Sequence, residues 1–281
     1  MSALLSPPLA AVRLLLYALW TAALLPLQLV AVRLGARAAA QIPLLYHRGC
    51  CRIIGFRIEQ RGVPVRNRPT LFVSNHTSYL DISVLGALLQ ASFVAKAEVA
   101  SWPLFGLCAK LQRSVFVDRR RATAGDQMAD VKRRLEAGDN LILFPEGTSS
   151  DGNRVLPFKS ALLAVAEYHA RGRPLTVQPV SIAYARHSNM PMGRYLRPCY
   201  AWYGDMGLPG HLWRVLGLGP ATVVVRFHAP VTIADFANRK VLTAHCQAVI
   251  AEAVAEAVHG TPPRPQLAPA AVEPAPSPAL A

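Results

Sequence analysis

A histidine stands at position 76, preceded by Asn75 and followed by Thr77 and Ser78, and an aspartate comes five positions later, at 81. Histidine is the side chain best suited to take up and return a proton near neutral pH. A carboxylate held against its far ring nitrogen fixes the tautomer and strengthens the base. The same stretch has a purely structural reading, because Ser78-Tyr79-Leu80-Asp81 follows the capping-box pattern, with Ser78 as N-cap and Asp81 in the first helical turn. The two readings are compatible: a carboxylate in a first turn can face a histidine presented by the strand-to-helix turn before it.

A second stretch, LILFPEGTSSDGNRVLPFKSAL at 141–162, is an apolar strand that breaks at Pro145 into a loop holding Glu146, Gly147, Thr148, Arg154 and Lys159. Glycine, hydroxyls and nearby cations can cradle an oxyanion or a phosphate, against the simpler reading of a turn with a solvated glutamate. Between the two stretches, Lys96, Arg119, Arg120 and Arg121 fall at predicted strand ends, where they serve either a site or a solvated basic face.

Such loops need a scaffold. β-rich runs at TLFVSN, SFVAK, SVFVD, NLILF, VQPVSI, CYAWY and TVVVRFH alternate with helical stretches near 78–90, 102–111, 121–137, 159–171 and 240–259. That alternation predicts an α/β fold, a largely parallel central sheet flanked by helices, with an N-terminal membrane-associated helical segment. Chemistry in such sheets gathers where strand ends run into loops, and both stretches are of that kind. Residues 14–32 carry no charge between Arg13 and Arg33 and would form a helix about 28 Å long, near the hydrocarbon thickness of a bilayer. A membrane anchor is the reading we carry forward, with a cleaved signal peptide and a buried core helix as rivals; Pro26 predicts a kink or a shallow dip. Arg33, Arg37, Arg48 and Arg52 then put the body on the cytoplasmic side of the cell inner membrane. The expected organisation is a membrane-associated helical segment at 1–50, a catalytic domain at 51–260 and a Pro/Ala-rich tail at 261–281 that does not pack.

The 281 residues carry a formal charge of +14 and are 52% hydrophobic, which excludes a disordered chain and asks for an anionic partner. A nucleic-acid binder would interleave its cations with exposed aromatics along a groove; here an apolar segment comes first and the arginines are scattered, so no nucleic acid is expected. The five cysteines have no metal-ligand spacing, no metal site is predicted, and the vicinal pair Cys50-Cys51 is poorly placed for an ordinary disulfide.

Taken in order, Asn75-His76 with Asp81, then Lys96 and Glu98 before Pro103 and Gly106, then residues 116–119, then Phe144-Pro145-Glu146-Gly147-Thr148, then residues 177–180 resemble the blocks of the glycerolipid acyltransferases, in particular their bacterial 1-acylglycerol-3-phosphate branch. The resemblance covers about residues 70–185. It implies a dyad in which His76 is the general base and Asp81 its orienting partner. The acyl donor would be acyl-CoA or acyl-acyl carrier protein, with no cofactor, and the acceptor a lysolipid at a membrane surface. The implied reaction acylates the free hydroxyl of 1-acylglycerol-3-phosphate to phosphatidic acid, with Asn75, Lys96, Arg119, Glu146, Gly147, Thr148 and Lys159 binding substrate. An unaided alcohol is too weak an acid to attack a thioester, so a positioned base should contribute on the order of a hundred- to ten-thousandfold. A hydrolase that activates water is the nearer rival, separable by product. Two departures stand out. Many relatives carry Arg after the Glu-Gly-Thr element, where this chain has Ser149, and Gly where it has Arg113. Arg113, Arg154 or Lys159 could replace the missing phosphate ligand; otherwise the acceptor has another head group, lyso-ornithine lipid in particular.

Overall fold

The computed structural model describes residues 4–35, 37–66, 69–117, 124–170 and 172–259, and of residues 124–128 the backbone alone. In chain order the elements are α1 (Pro7–Arg33), α2 (Ile42–Ile54), β1 (Phe56–Arg61), β2 (Thr70–Ser74), α3 (Leu80–Leu88), β3 (Ser92–Lys96), α4 (Phe105–Leu111), β4 (Val115–Val117), α5 (Ala124–Glu136), β5 (Leu141–Leu143), β6 (His169–Ala170), β7 (Arg173–Pro174), β8 (Thr176–His187), β9 (Met190–Pro191), α6 (Leu208–Gly217), β10 (Ala221–Phe227) and α7 (Arg239–His259), with short 3-10 turns between them.

Strands β2 and β5 are apolar on both faces, as strands covered by helices on both sides must be. Their register, Leu71 beside Leu141 and Phe72 beside Ile142, sorts the side chains into two layers. Phe72 and Ile142 join Val180, Ile182 and Tyr184 of β8 in a core closed by α2, α3 and α6. Leu71, Val73, Leu141 and Leu143 face the opposite core, closed by Val131 and Leu135 of α5 and by Leu242, Cys246, Ile250 and Val254 of α7. The strand order is β1-β10-β8-β2-β5-β3-β4, with β9 on β8. From β8 to β4 the neighbours are parallel; β10 pairs antiparallel with β8 and parallel with β1. The expected architecture is therefore present.

Helix α1 runs through Pro26 without a break. By length and composition both α1 and α7 could cross a membrane. They differ in what they bury: α7 lays a stripe of core side chains on the sheet, whereas α1 exposes Leu15, Leu16, Leu19, Leu27 and Val30. Its inner face is tied to the body by polar groups. The Arg13 guanidinium donates to the Leu216 and Leu218 carbonyls (3.1 and 2.6 Å), and the Trp20 indole to Tyr46 O at 3.0 Å. Thr21 bonds the Tyr46 hydroxyl, and the Gln28 amide donates to Ala39 O and Leu111 O at 3.0 and 2.8 Å.

Some expectations need correction. CYAWY is not a strand: Arg197–Cys199 is a 3-10 turn that leads into a loop, and Tyr200 is buried against Tyr184 with stacked rings 5.6 Å apart. The run reads as a strand because its aromatics fill the core rather than a ladder. Residues 159–171 hold a 3-10 segment, Ser160–Glu167, and then β6 in place of an α-helix. The sequence reading also passed over α2, β1 and α6. The tail at 261–281 lies outside the described residues. The cysteines are free thiols, four of them buried.

Candidate active site

Because β2 and β5 are parallel neighbours, their carboxyl ends open at the same edge of the sheet, and the loops that follow them meet there. Asn75 fixes the first loop. Its side-chain amide donates to Ile182 O and its Oδ1 accepts from Ile182 N–H, both at 2.9 Å, so the side chain extends the β2–β8 ladder by one step. This leaves His76 at the point where the chain turns toward α3.

The Asp81 carboxylate is fully buried and its oxygens are well supplied with donors. Oδ2 accepts from Thr77 N–H (2.7 Å), Ser78 N–H (2.9 Å) and His76 Nδ1 (2.9 Å), while Oδ1 accepts from the Tyr184 hydroxyl (2.9 Å). One carboxylate therefore serves both the amides at the helix start and the dyad, but the N-cap of α3 is Tyr79 rather than the expected Ser78, and the Ser78 hydroxyl does not close a capping box. A carboxylate accepts only, so Nδ1 carries the proton and Nε2 is left as the basic atom. Tyr184 is buried and beside Asp81; burial, then the Asp81 charge, push its phenol well above the usual range, so it stays a donor. Phe144 stacks on the imidazole at 4.2 Å between centroids, with planes 18° apart, and fixes the ring orientation. A fifth of the His76 side chain remains exposed.

Glu146 holds the second loop against the first. Its Oε1 accepts from His76 N–H at 2.8 Å and Oε2 from Leu156 N–H at 3.1 Å; Ser150 N–H closes the clamp on His76 O at 2.9 Å. The base is thus gripped through both its backbone groups. Burial, partly offset by these two N–H bonds, lifts the Glu146 carboxyl to about 8. Gly147, at φ +73°, makes the turn that lets Thr148 and Ser149 double back beside His76.

His76 opens on a cavity of about 490 Å³, within the range of sites that enclose a small organic ligand. Leu24 of α1, Ile42 of α2, Phe93 of β3 and Phe105 of α4 contribute its apolar wall. Of the sequence-predicted residues, His76, Lys96, Gly147 and Thr148 line it. Asp81, Asn75 and Glu146 lie behind that lining, buried and bonded to His76 or to the backbone beside it. Lys159 is exposed, outside the lining, and its N–H bonds Pro145 O. Arg119 lies outside the described residues. Arg113 sits at φ +60°, in the left-handed region that favours glycine, and its guanidinium pairs with Asp139 at 3.1 Å rather than with the cavity. Sequence reading missed Tyr184 and the stacking role of Phe144, and it missed Tyr79, Trp102 and Trp202 on the cavity wall. The aromatic content of these stretches was the one available signal.

Comparison with known proteins finds the acyltransferase family model over residues 56–183. The lyso-ornithine lipid O-acyltransferase of Brucella abortus (strain 2308) is 47% identical over 225 residues, covering 78% of this chain and 84% of the relative. The 1-acyl-sn-glycerol-3-phosphate acyltransferase of Neisseria gonorrhoeae is 36% identical over 180 residues, covering 63% of this chain and 65% of the relative. Among solved structures, the 1-acyl-sn-glycerophosphate acyltransferase PlsC of Thermotoga maritima shares the fold, with a TM-score of 0.57 at 22% identity over 77% of this chain and 78% of that one.

Proposed function

The chain belongs to the acyltransferase family and acts on lysolipids, and from that premise we propose that its acceptor is lyso-ornithine lipid, acylated on its free hydroxyl from an acyl thioester. The observation that carries the acceptor is the likeness to the Brucella relative over most of that protein's length; it is joined by Ser149, which stands where the acyltransferase pattern that the sequence resembles would put an arginine beside His76.

In this reading His76 Nε2 takes the proton as the acceptor hydroxyl oxygen attacks the thioester carbonyl carbon. Asp81 steadies the imidazolium that forms. The tetrahedral intermediate collapses by breaking the carbon–sulfur bond, and the leaving thiolate takes the proton from His76, so the histidine is regenerated and an ester is left. Thr148 and Ser149, on the lining beside His76, are the nearby source of backbone amides for the oxyanion. The apolar cavity takes an acyl chain, and Lys96 and Arg119 serve the polar parts of the substrates. Acyl-CoA or acyl-acyl carrier protein is the donor; no cofactor or metal enters the step.

In the same proposal α1 lies in lipid at the cell inner membrane with the body on the cytoplasmic side; its exposed leucines and the arginines at its carboxyl end and beyond support that reading. Purified protein in detergent, given lyso-ornithine lipid or lysophosphatidate with one acyl thioester, tests the acceptor. Ornithine lipid as the dominant product by mass is expected; phosphatidic acid alone would overturn the assignment, and free fatty acid alone would favour a hydrolase.

A further inference from the structure

The cavity wall next to the base is aromatic. Tyr79, Trp102 and Trp202 all line it together with His76. They come from three separate places in the chain: the N-cap of α3, the turn before α4, and the loop after the 3-10 turn Arg197–Cys199. The rings nonetheless converge. Trp102 meets Trp202 edge to face with centroids 5.9 Å apart and planes at 86°, and Tyr79 meets Trp202 at 5.9 Å and 74°.

Trp202 is fixed beside the base, since its backbone N–H donates to the carbonyl of Thr77 at 3.0 Å and its indole N–H to Met206 O at 2.8 Å. The Tyr79 hydroxyl is bonded to His211 Nδ1 at 3.0 Å. With these polar handles occupied, Trp202 and Tyr79 offer a ligand their rings. Perpendicular rings present a face and an edge to the same space, and the negative face of an indole attracts a cation and disfavours an anion. Among the described residues, the full charges on the lining are Lys96 and Glu98, with no arginine.

We propose that Tyr79, Trp102 and Trp202 form the head-group subsite and select a lysolipid whose head carries an ammonium group, held over the indole faces. This rests on the lysolipid-acceptor reading and gives it a specificity determinant. Lys96, on the same lining, suits the carboxylate of an amino-acid head. If the rings only filled space or met the bilayer interface, changing them would affect charged and uncharged heads alike.

The test uses the full chain in detergent micelles at pH 7.5, with lyso-ornithine lipid and its δ-N-acetyl derivative as paired acceptors, and reads the ratio of their kcat/KM values. The wild type should prefer the free amine by about tenfold. In Trp102→Leu and Trp202→Leu, which keep an apolar side chain, the ratio should fall toward one. Should a leucine variant not fold, the Phe variant at that position, with a weaker ring face, should show a partial fall. An unchanged ratio at both positions, or equal use of the two acceptors by the wild type, overturns this inference alone. A wild type that acylates lysophosphatidate and neither ornithine acceptor overturns the acceptor assignment as well.

Discussion

Tyr184→Phe removes one hydroxyl from behind the dyad and leaves its members in place. The Tyr184 side chain is fully buried, and its O–H is the donor that Asp81 Oδ1 receives at 2.9 Å, while Oδ2 takes the histidine and two amides. Without it, one oxygen of a buried carboxylate has lost its partner. A hydrogen bond to a charged group contributes about 1.5–3 kcal/mol, so equilibrium unfolding in urea should show a loss of that size with the slope unchanged. A carboxylate tied on one side only can rotate about its Cβ–Cγ bond, and the histidine it orients follows. We expect kcat to fall by roughly tenfold, with KM for both substrates close to wild type, because Tyr184 lies behind the lining and touches neither substrate. Product formation measured by mass at saturating donor and acceptor reads the first quantity, and a donor titration the second. A variant that loses the stability yet keeps full kcat would refute the positioning argument, since Asp81 would then be shown to hold its geometry through Oδ2 alone.

His76→Ala and Asp81→Asn should each lower transfer by on the order of a hundred- to ten-thousandfold with far-ultraviolet dichroism unchanged; retention of more than about a tenth of the wild-type rate by the alanine variant excludes a general base there. Glu146 has a folded-state pKa of about 8, above the ordinary carboxylate value, so the folded state binds the extra proton: its stability contribution is complete below about pH 4.5, declines as pH rises, and is gone above 8. The difference in melting temperature between wild type and Glu146→Gln should therefore change between pH 5 and 8 and level off above that, and a difference independent of pH would sink the assignment. Leu15→Glu with Leu19→Glu, one helical turn apart on the exposed side of α1, should reduce recovery in the membrane fraction at high salt without lowering the melting temperature; undiminished recovery would mean that α1 is not what holds the protein to lipid.

The dyad could be read from the sequence because His76 and Asp81 are five residues apart and their geometry is settled by one turn of chain. The Phe144-Pro145-Glu146 loop could be read for a similar reason: an apolar run ending at proline and glycine. Partners far away in the chain gave no such signal. Tyr184 lies 103 residues beyond Asp81, and only the parallel register of β2 with β8 brings them together. The same holds for Trp102 and Trp202. Strands buried on both faces were legible as apolar runs, whereas β1, with Arg57, Glu59 and Arg61 on one side, has the composition of a loop, and Tyr200 lent a core-filling turn the look of a strand. Glu146 was legible as a functional position, but its use of both oxygens on backbone amides was not, because that depends on where two loops cross.

The polar inner face of α1 sets an order of assembly. This helix is made first, yet Gln28 finds one of its carbonyls at Leu111, 83 residues later, and Arg13 finds both of its carbonyls beyond residue 215. Until those segments exist, an apolar helix carries an arginine with neither of its carbonyls and a glutamine with only one of its two, Ala39 O. In lipid, where leucine against leucine offers little over leucine against acyl chain, these are the groups that make docking favourable. The full hydrogen-bond set of α1 therefore requires α4 and α6 to be in place: only with Leu111, Leu216 and Leu218 positioned do Gln28 and Arg13 have all of their carbonyls.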